Sequence, residues 1–236
     1  MNDELKSKKQ ATPSTRFKNE TLQARRLHFL SEMGAELFLP EKITLSSMRE
    51  AIQNCRGCSL YRYATQAVFG EGKKGARILF VGEQPGDHED EEGQPFVGPA
   101  GQLLNEALFQ ADIRREETYV TNAVKHFKWI PRGKRRIHSK PNASEVHACF
   151  AWLECEIRTV HPEVLVCLGT TAVLSVFGHA LPVLANRRHW KESRLSEKTL
   201  ITVHPSSVLR VPHSLREQAK RDFFKDIRFI RTGLAA

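Results

Sequence analysis

Apolar positions along the chain fall into short unbroken runs separated by longer stretches of helical spacing. Arg77-Ile78-Leu79-Phe80-Val81 is one such segment, closed by Gly82. That is the pattern of a strand buried on both faces of a parallel sheet. Thr118 to Thr121, Val164 to Leu168 and Leu200 to Val203 are the other predicted strands. Segments with apolar residues three and four apart lie between them, at about Gly101 to Ala111, Asn142 to Val160, Thr170 to Phe177 and Ser214 to Ile230. Before the first strand, Ser46 or Ser47 is placed to cap a short helix through Ile52. Strands alternating with helices predict an α/β fold, a three-layer α/β/α sandwich around a central, mainly parallel four-stranded sheet.

In such sheets ligands sit beyond the carboxyl ends of the strands, and the residues there are unusual. Gly82-Glu83-Gln84-Pro85-Gly86-Asp87 follows the first strand, Asn122 the second, and His204-Pro205-Ser206-Ser207 the last. The glycine-containing loop lacks the Lys-Ser/Thr ending of a phosphate loop and the spacing of a dinucleotide fingerprint, so a nucleotide cofactor is not expected. Gly133-Lys134-Arg135-Arg136-Ile137-His138 sets three cations beside an imidazole in a segment that reads as a loop, neither helix nor strand.

Charge sharpens this picture. The 236 residues carry a net charge of +9, which favours a polyanionic partner such as nucleic acid. Residues 1–40 are rich in Lys and Arg and read as a disordered basic arm, and 41–236 as the folded domain. No apolar run approaches the roughly 18 residues of a membrane span, and the chain opens on polar residues, so a cytoplasmic, nucleoid-associated monomer is expected. Five cysteines form no obvious disulfide framework. Cys55-x-x-Cys58 can grip one metal site but needs two further ligands, and Cys167 lies in an apolar strand as a core residue. The zinc signature of nucleobase deaminases is missing from the sequence. Glu89 to Glu92 read as a solvated acidic loop beside Asp87.

Four ordered motifs, Gly82 to Asp87, Pro95-Phe96-Val97-Gly98-Pro99-Ala100-Gly101, Thr121-Asn122-Ala123-Val124-Lys125-His126 and His204 to Ser207, together resemble the iron-sulfur, family 4 branch of the uracil-DNA glycosylases. Gln84 and the inserted Lys134 to His138 segment resemble, more narrowly, the UdgX group, which cross-links itself to uracil-containing DNA. The resemblance runs from about Ser46 to Ile230.

It implies that Phe96 stacks on a flipped uracil and that Asn122, which offers both a donor and an acceptor, reads its edge. His204 and the Gln84 backbone serve the base side, with Ser206 and Arg210 holding the DNA backbone nearby. His138 takes the place of water at the sugar, Glu83 orients it or takes its proton, and Asp87 is a second carboxylate supporting the loop or the sugar cation. Lys134, Arg135 and Arg136 grip phosphates. A [4Fe-4S] cluster is implied on Cys55, Cys58, Cys149 and, where relatives carry another cysteine, His126. Cys155 is the competing fourth ligand, although six residues from Cys149 do not share a helical face. The expected partner is uracil-containing DNA, single-stranded preferred. Two other readings stay open: an ordinary glycosylase that turns over, and an iron-sulfur protein that binds DNA without catalysis.

Overall fold

The computed structural model of the protein describes residues 38–234. Its centre is a sheet of four parallel strands: β1 (Ile78–Gly82), β2 (Thr118–Asn122), β5 (Val164–Leu168) and β6 (Thr199–Thr202), in the spatial order β2-β1-β5-β6. The register pairs Ile78 with both Thr118 and Val164, and Leu165 with Thr199. Every residue of these strands is buried, which is why they read as continuous apolar runs rather than alternating ones.

Successive side chains nevertheless serve opposite faces. Ile78, Phe80, Val120, Val166 and Leu200 pack under α3 (Pro99–Gln110) and α7 (His213–Phe229). Leu79, Val81, Tyr119, Leu165 and Ile201 pack under α4 (Ala143–Val160) and α5 (Thr170–Phe177). The predicted α/β/α sandwich with its parallel four-stranded sheet is therefore observed. Among the described residues no helix is long and apolar enough to cross a membrane.

Four local expectations change. The first helix among the described residues, α1 (Leu45–Ala51), is capped by Thr44, not by Ser46 or Ser47. Thr44 is extended, and its hydroxyl accepts from the Ser47 backbone N–H at 3.0 Å while Ser47 Oγ accepts from Thr44 N–H at 3.0 Å, so Ser47 is the reciprocal partner of the cap. Leu39 is buried against Met48, Ile52 and Trp152, so the packed domain includes the last residues given to the basic arm, whose remainder lies outside the described residues.

The basic segment is not a loop. It is the second strand of an antiparallel hairpin, β3 (Trp129–Arg132) and β4 (Arg135–His138), in register Trp129 with His138, Ile130 with Ile137, Pro131 with Arg136 and Arg132 with Arg135. Gly133, at φ +61°, opens its two-residue turn in the left-handed region glycine tolerates. Exposed charges and a proline hide the two-residue period; the hairpin is held by tertiary contacts instead. Finally, the acidic run is no solvated loop but the short helix α2 (Asp87–Glu92), with Glu89 and Asp90 buried.

Candidate active site

The carboxyl ends of the strands bring the expected residues together. Gly82 closes β1 directly beside Asn122, the last residue of β2. A methyl group on Gly82 would stand 2.3 Å from Asn122 Oδ1 and 2.8 Å from Phe96 Cζ, so amide and ring crowd over a position that only glycine leaves open. Phe96 has φ +60°, a left-handed conformation costly for an aromatic residue. A Cβ on Gly101 would meet Phe96 O at 1.7 Å, so the first turn of α3 lies hard against the Phe96 backbone and holds it there.

The third member is His204, whose ring stacks 6.2 Å from that of Phe96 at an interplanar angle of 28°. His204 is the N-cap of α6 (Pro205–Arg210), and its Nδ1 accepts from the Ser206 N–H at 3.2 Å with Ser206 Oγ 2.8 Å away. This assigns the tautomer: Nδ1 is the acceptor and Nε2 carries the hydrogen. Burial, then the charge of Arg210 and that of His138, outweigh Glu83 and lower the imidazole to about 4. At neutral pH His204 is thus an uncharged donor. Ser206 is engaged with His204 itself, while Arg210 stands exposed in the last turn of α6.

His138 comes in from the hairpin, its Nε2 3.2 Å from Glu83 Oε1. The other carboxylate oxygen accepts from Thr171 Oγ1 at 2.5 Å. Burial opposes ionisation of Glu83, but the hydrogen bonds from His138 and Thr171 outweigh it and hold the carboxyl below its ordinary value. An imidazole oriented by a fixed carboxylate is the arrangement of an activated nucleophile or base. Thr171, at the start of α5, was not a sequence candidate; its position just past the end of β5 was the available signal.

Two clamps fix the hairpin. The Gln84 side chain donates to Lys128 O at 3.0 Å and Ser139 O at 3.1 Å, and accepts from Lys128 N–H at 3.1 Å, tying both hairpin ends to the loop after β1. Arg136 reaches Asp87 at 2.6 Å, Asp90 at 2.6 Å and Glu91 at 3.2 Å, and its guanidinium lies over the rings of Phe127 and Trp129. Arg136 is therefore committed to carboxylates, unlike the phosphate role the sequence implied, and Asp87 supports the hairpin through it. Lys134 and Arg135 are exposed and in no ion pair among the described residues. Glu89, read from the sequence as part of a solvated acidic loop, accepts from Gly86 N–H at 3.0 Å and Gly98 N–H at 2.9 Å, linking the first two motifs.

Cys58 and Cys149 pack together with Leu60, Val124 and Val146. Cys58 is held below the ordinary thiol value, first by its hydrogen bond with Cys149 and also by His126, against burial; Cys149 is pushed up by the same bond. Cys55 accepts from Trp152 Nε1 at 3.3 Å, and burial raises it. His126 is buried with Nδ1 lacking any partner among the described residues. An orphaned buried ring nitrogen beside unbridged thiols suits a soft-metal ligand set, although these side chains do not already stand at metal-ligand spacing. Cys155 packs instead with Met48, Ile52 and Trp152, and Cys167 is fully buried as expected. The loop carrying Asn122 and His126 is anchored by the buried pair of Lys125 with Glu156, which also accepts from Gly70 N–H at 2.9 Å and Tyr119 OH at 3.0 Å.

The sheet is parallel and four-stranded, and the family model of the uracil DNA glycosylase superfamily matches residues 69–228. A type-4 uracil-DNA glycosylase of Thermotoga maritima is 38% identical over 185 residues, 77% of this chain and 92% of that protein. Type-4 enzymes of Pyrobaculum aerophilum (36% identical, 75% of this chain and 90% of that protein) and Archaeoglobus fulgidus (35%, 77% and 91%) are similar to it to the same degree. The chain belongs to the type-4 uracil-DNA glycosylase family of that superfamily.

Proposed function

We propose that the protein excises uracil from DNA, preferring single strands, and is captured by the abasic sugar through His138. The observation that carries this reading is the pairing of His138 with Glu83, itself held by Thr171, beside a neutral His204. Flipping costs least from a single strand, and the base then enters between the Phe96 ring and Asn122. The Asn122 amide matches the O4 acceptor and N3–H donor of uracil and mismatches cytosine.

Cleavage of the C1′–N1 bond sends its electron pair to uracil and leaves a cationic sugar. His204, neutral with a hydrogen on Nε2, donates to the developing charge at O2, where a protonated ring is not required. The imidazole of His138 then supplies the lone pair for a new C1′–N bond. Its ring proton passes to Glu83, which can return it to the uracil anion, so charge and protons balance. An N-alkyl imidazole is a poor leaving group, and the protein remains attached. Arg210, Lys134 and Arg135 are among the cations available for phosphates.

Cys55, Cys58, His126 and Cys149 would hold a [4Fe-4S] cluster, which would supply structural bracing of the loop that carries Asn122. The likeness to several type-4 glycosylases favours a second reading, in which water attacks the sugar and the enzyme turns over. Counting products separates the two. The proposal expects no more than one free uracil per protein, with an equal amount of protein-DNA adduct stable to denaturation. Continued uracil release without adduct selects the turning-over enzyme, and no uracil release at all refutes both.

A further inference from the structure

The hairpin has two faces, and only one belongs to the site just described. Alternation along β3 and β4 groups Trp129, Pro131, Arg136 and His138 together, and the contacts of Arg136 with Asp87 and Asp90 and of His138 with Glu83 show that this set faces the body. The opposite set is Ile130, Ile137, Arg132 and Arg135. Ile130 is 55% exposed, one of few large apolar side chains so displayed among the described residues. A second, Tyr63, is 63% exposed and joined to the hairpin root, since Trp129 Nε1 donates to Tyr63 O at 2.9 Å. Arg132 and Arg135 share the face of Ile130, with Lys134 in the turn between them, and all three are in no ion pair among the described residues, in contrast to Arg136 with three carboxylates.

We infer that this outward face is a docking surface for the single DNA strand that flanks the flipped nucleotide. Ile130 and Ile137 take the exposed faces of neighbouring bases, Tyr63 at the hairpin root takes the next base along, and Arg132, Lys134 and Arg135 take their phosphates. The inference rests on the reading that the substrate is DNA. Apolar and aromatic side chains set among uncommitted cations are what single strands select, because every base offers a stacking face whatever its sequence. The geometry adds a consequence: one hairpin then holds the strand on its outer face while presenting the nucleophile on its inner face, so docking and alignment of His138 are mechanically one event.

The test is binding of a fluorescent, uracil-free single strand to the full chain, followed by anisotropy across a salt series. Without uracil the readout is independent of excision, so failure of the capture chemistry leaves it standing, and its own failure leaves the capture chemistry standing. Ile130→Thr, which keeps a β-branched residue in an exposed strand, is expected to weaken binding roughly 5- to 10-fold with an unchanged salt slope. Tyr63→Ala should weaken it roughly 10-fold in the same way. Arg132→Ala with Arg135→Ala should lower the slope of log affinity against log salt by about 1.4, two phosphates' worth for a single strand. Wild-type affinity in all three variants would overturn the inference. So would a weakened arginine variant beside an unaffected Ile130→Thr and Tyr63→Ala, which would reduce the surface to phosphate contacts alone.

Discussion

Replacing Arg136 with alanine separates the two roles a cation on this hairpin can have. Its side chain is 20% exposed and meets three carboxylates. Asp87 and Glu91 are 47% and 61% exposed, so each pair contributes well under about 1 kcal/mol. Asp90 is fully buried, and removing the partner of a buried charge costs on the order of 3–5 kcal/mol. Thr65 N–H still donates to Asp90 at 3.0 Å, and water can enter where the guanidinium stood, which brings the cost to about 2–3 kcal/mol. That shifts the balance between docked and undocked hairpin by roughly 30- to 150-fold.

Because His138 lies two residues further along the same strand, the loss appears in the capture step. A quenched time course on a denaturing gel, at saturating uracil-containing single-stranded DNA, should show Arg136→Ala forming adduct tens of times more slowly. Arg136→Lys should be intermediate, since a point charge cannot serve three carboxylates at once. The salt dependence of DNA binding should stay that of the wild type. Wild-type capture at saturation together with a salt slope reduced by about 0.7 would refute the anchoring role and return Arg136 to a phosphate.

Four further outcomes follow from the geometry. Gly82→Ala forces a methyl group into Asn122 Oδ1 and the Phe96 ring, so uracil release should fall roughly 100-fold; release at the wild-type rate would contradict the shared pocket. His204 sits at about 4 against an ordinary 6.5, so the unfolded chain binds more protons between these values; the stability this residue contributes is complete above pH 6.5 and lost as pH falls toward 4. Thermal melts of the wild type should thus lose ground to His204→Gln across that window, and parallel curves would refute the shift. Lys125→Met strands Glu156 in the core and should destabilise the fold by about 3–5 kcal/mol in chemical denaturation. Protein prepared without air should contain iron, lost in His126→Ala and retained in Cys155→Ala; the reverse pattern would make Cys155 the ligand.

The sheet was legible because strands buried on both faces must be apolar throughout, and Ile78 to Val81 shows this without help from neighbours. The strand ends were legible for the same reason: polar residues such as Asn122 and His204 are conspicuous directly after such runs. What the sequence hid depends on partners distant in the chain. The place of Thr171 just past a strand hints at the site, but nothing local names its partner, Glu83, 88 residues away. The acidic run reads as solvent-facing until Arg136 is seen to pair with Asp90 and the Thr65 N–H to donate to it. The hairpin has too few apolar positions to declare a period of two, and alternation then divides its cations: Arg136 turns inward while Arg135 turns out. A string of charges does not reveal which of its members are already paired.

Digestion of the protein-DNA adduct to peptides, followed by mass spectrometry with fragmentation, asks whether His138 ends the reaction bonded to the sugar. The expected result is a deoxyribose-derived mass on the peptide containing His138, localised to that imidazole and lost in His138→Ala. The same mass on any other residue, or an adduct that persists in His138→Ala, would contradict it.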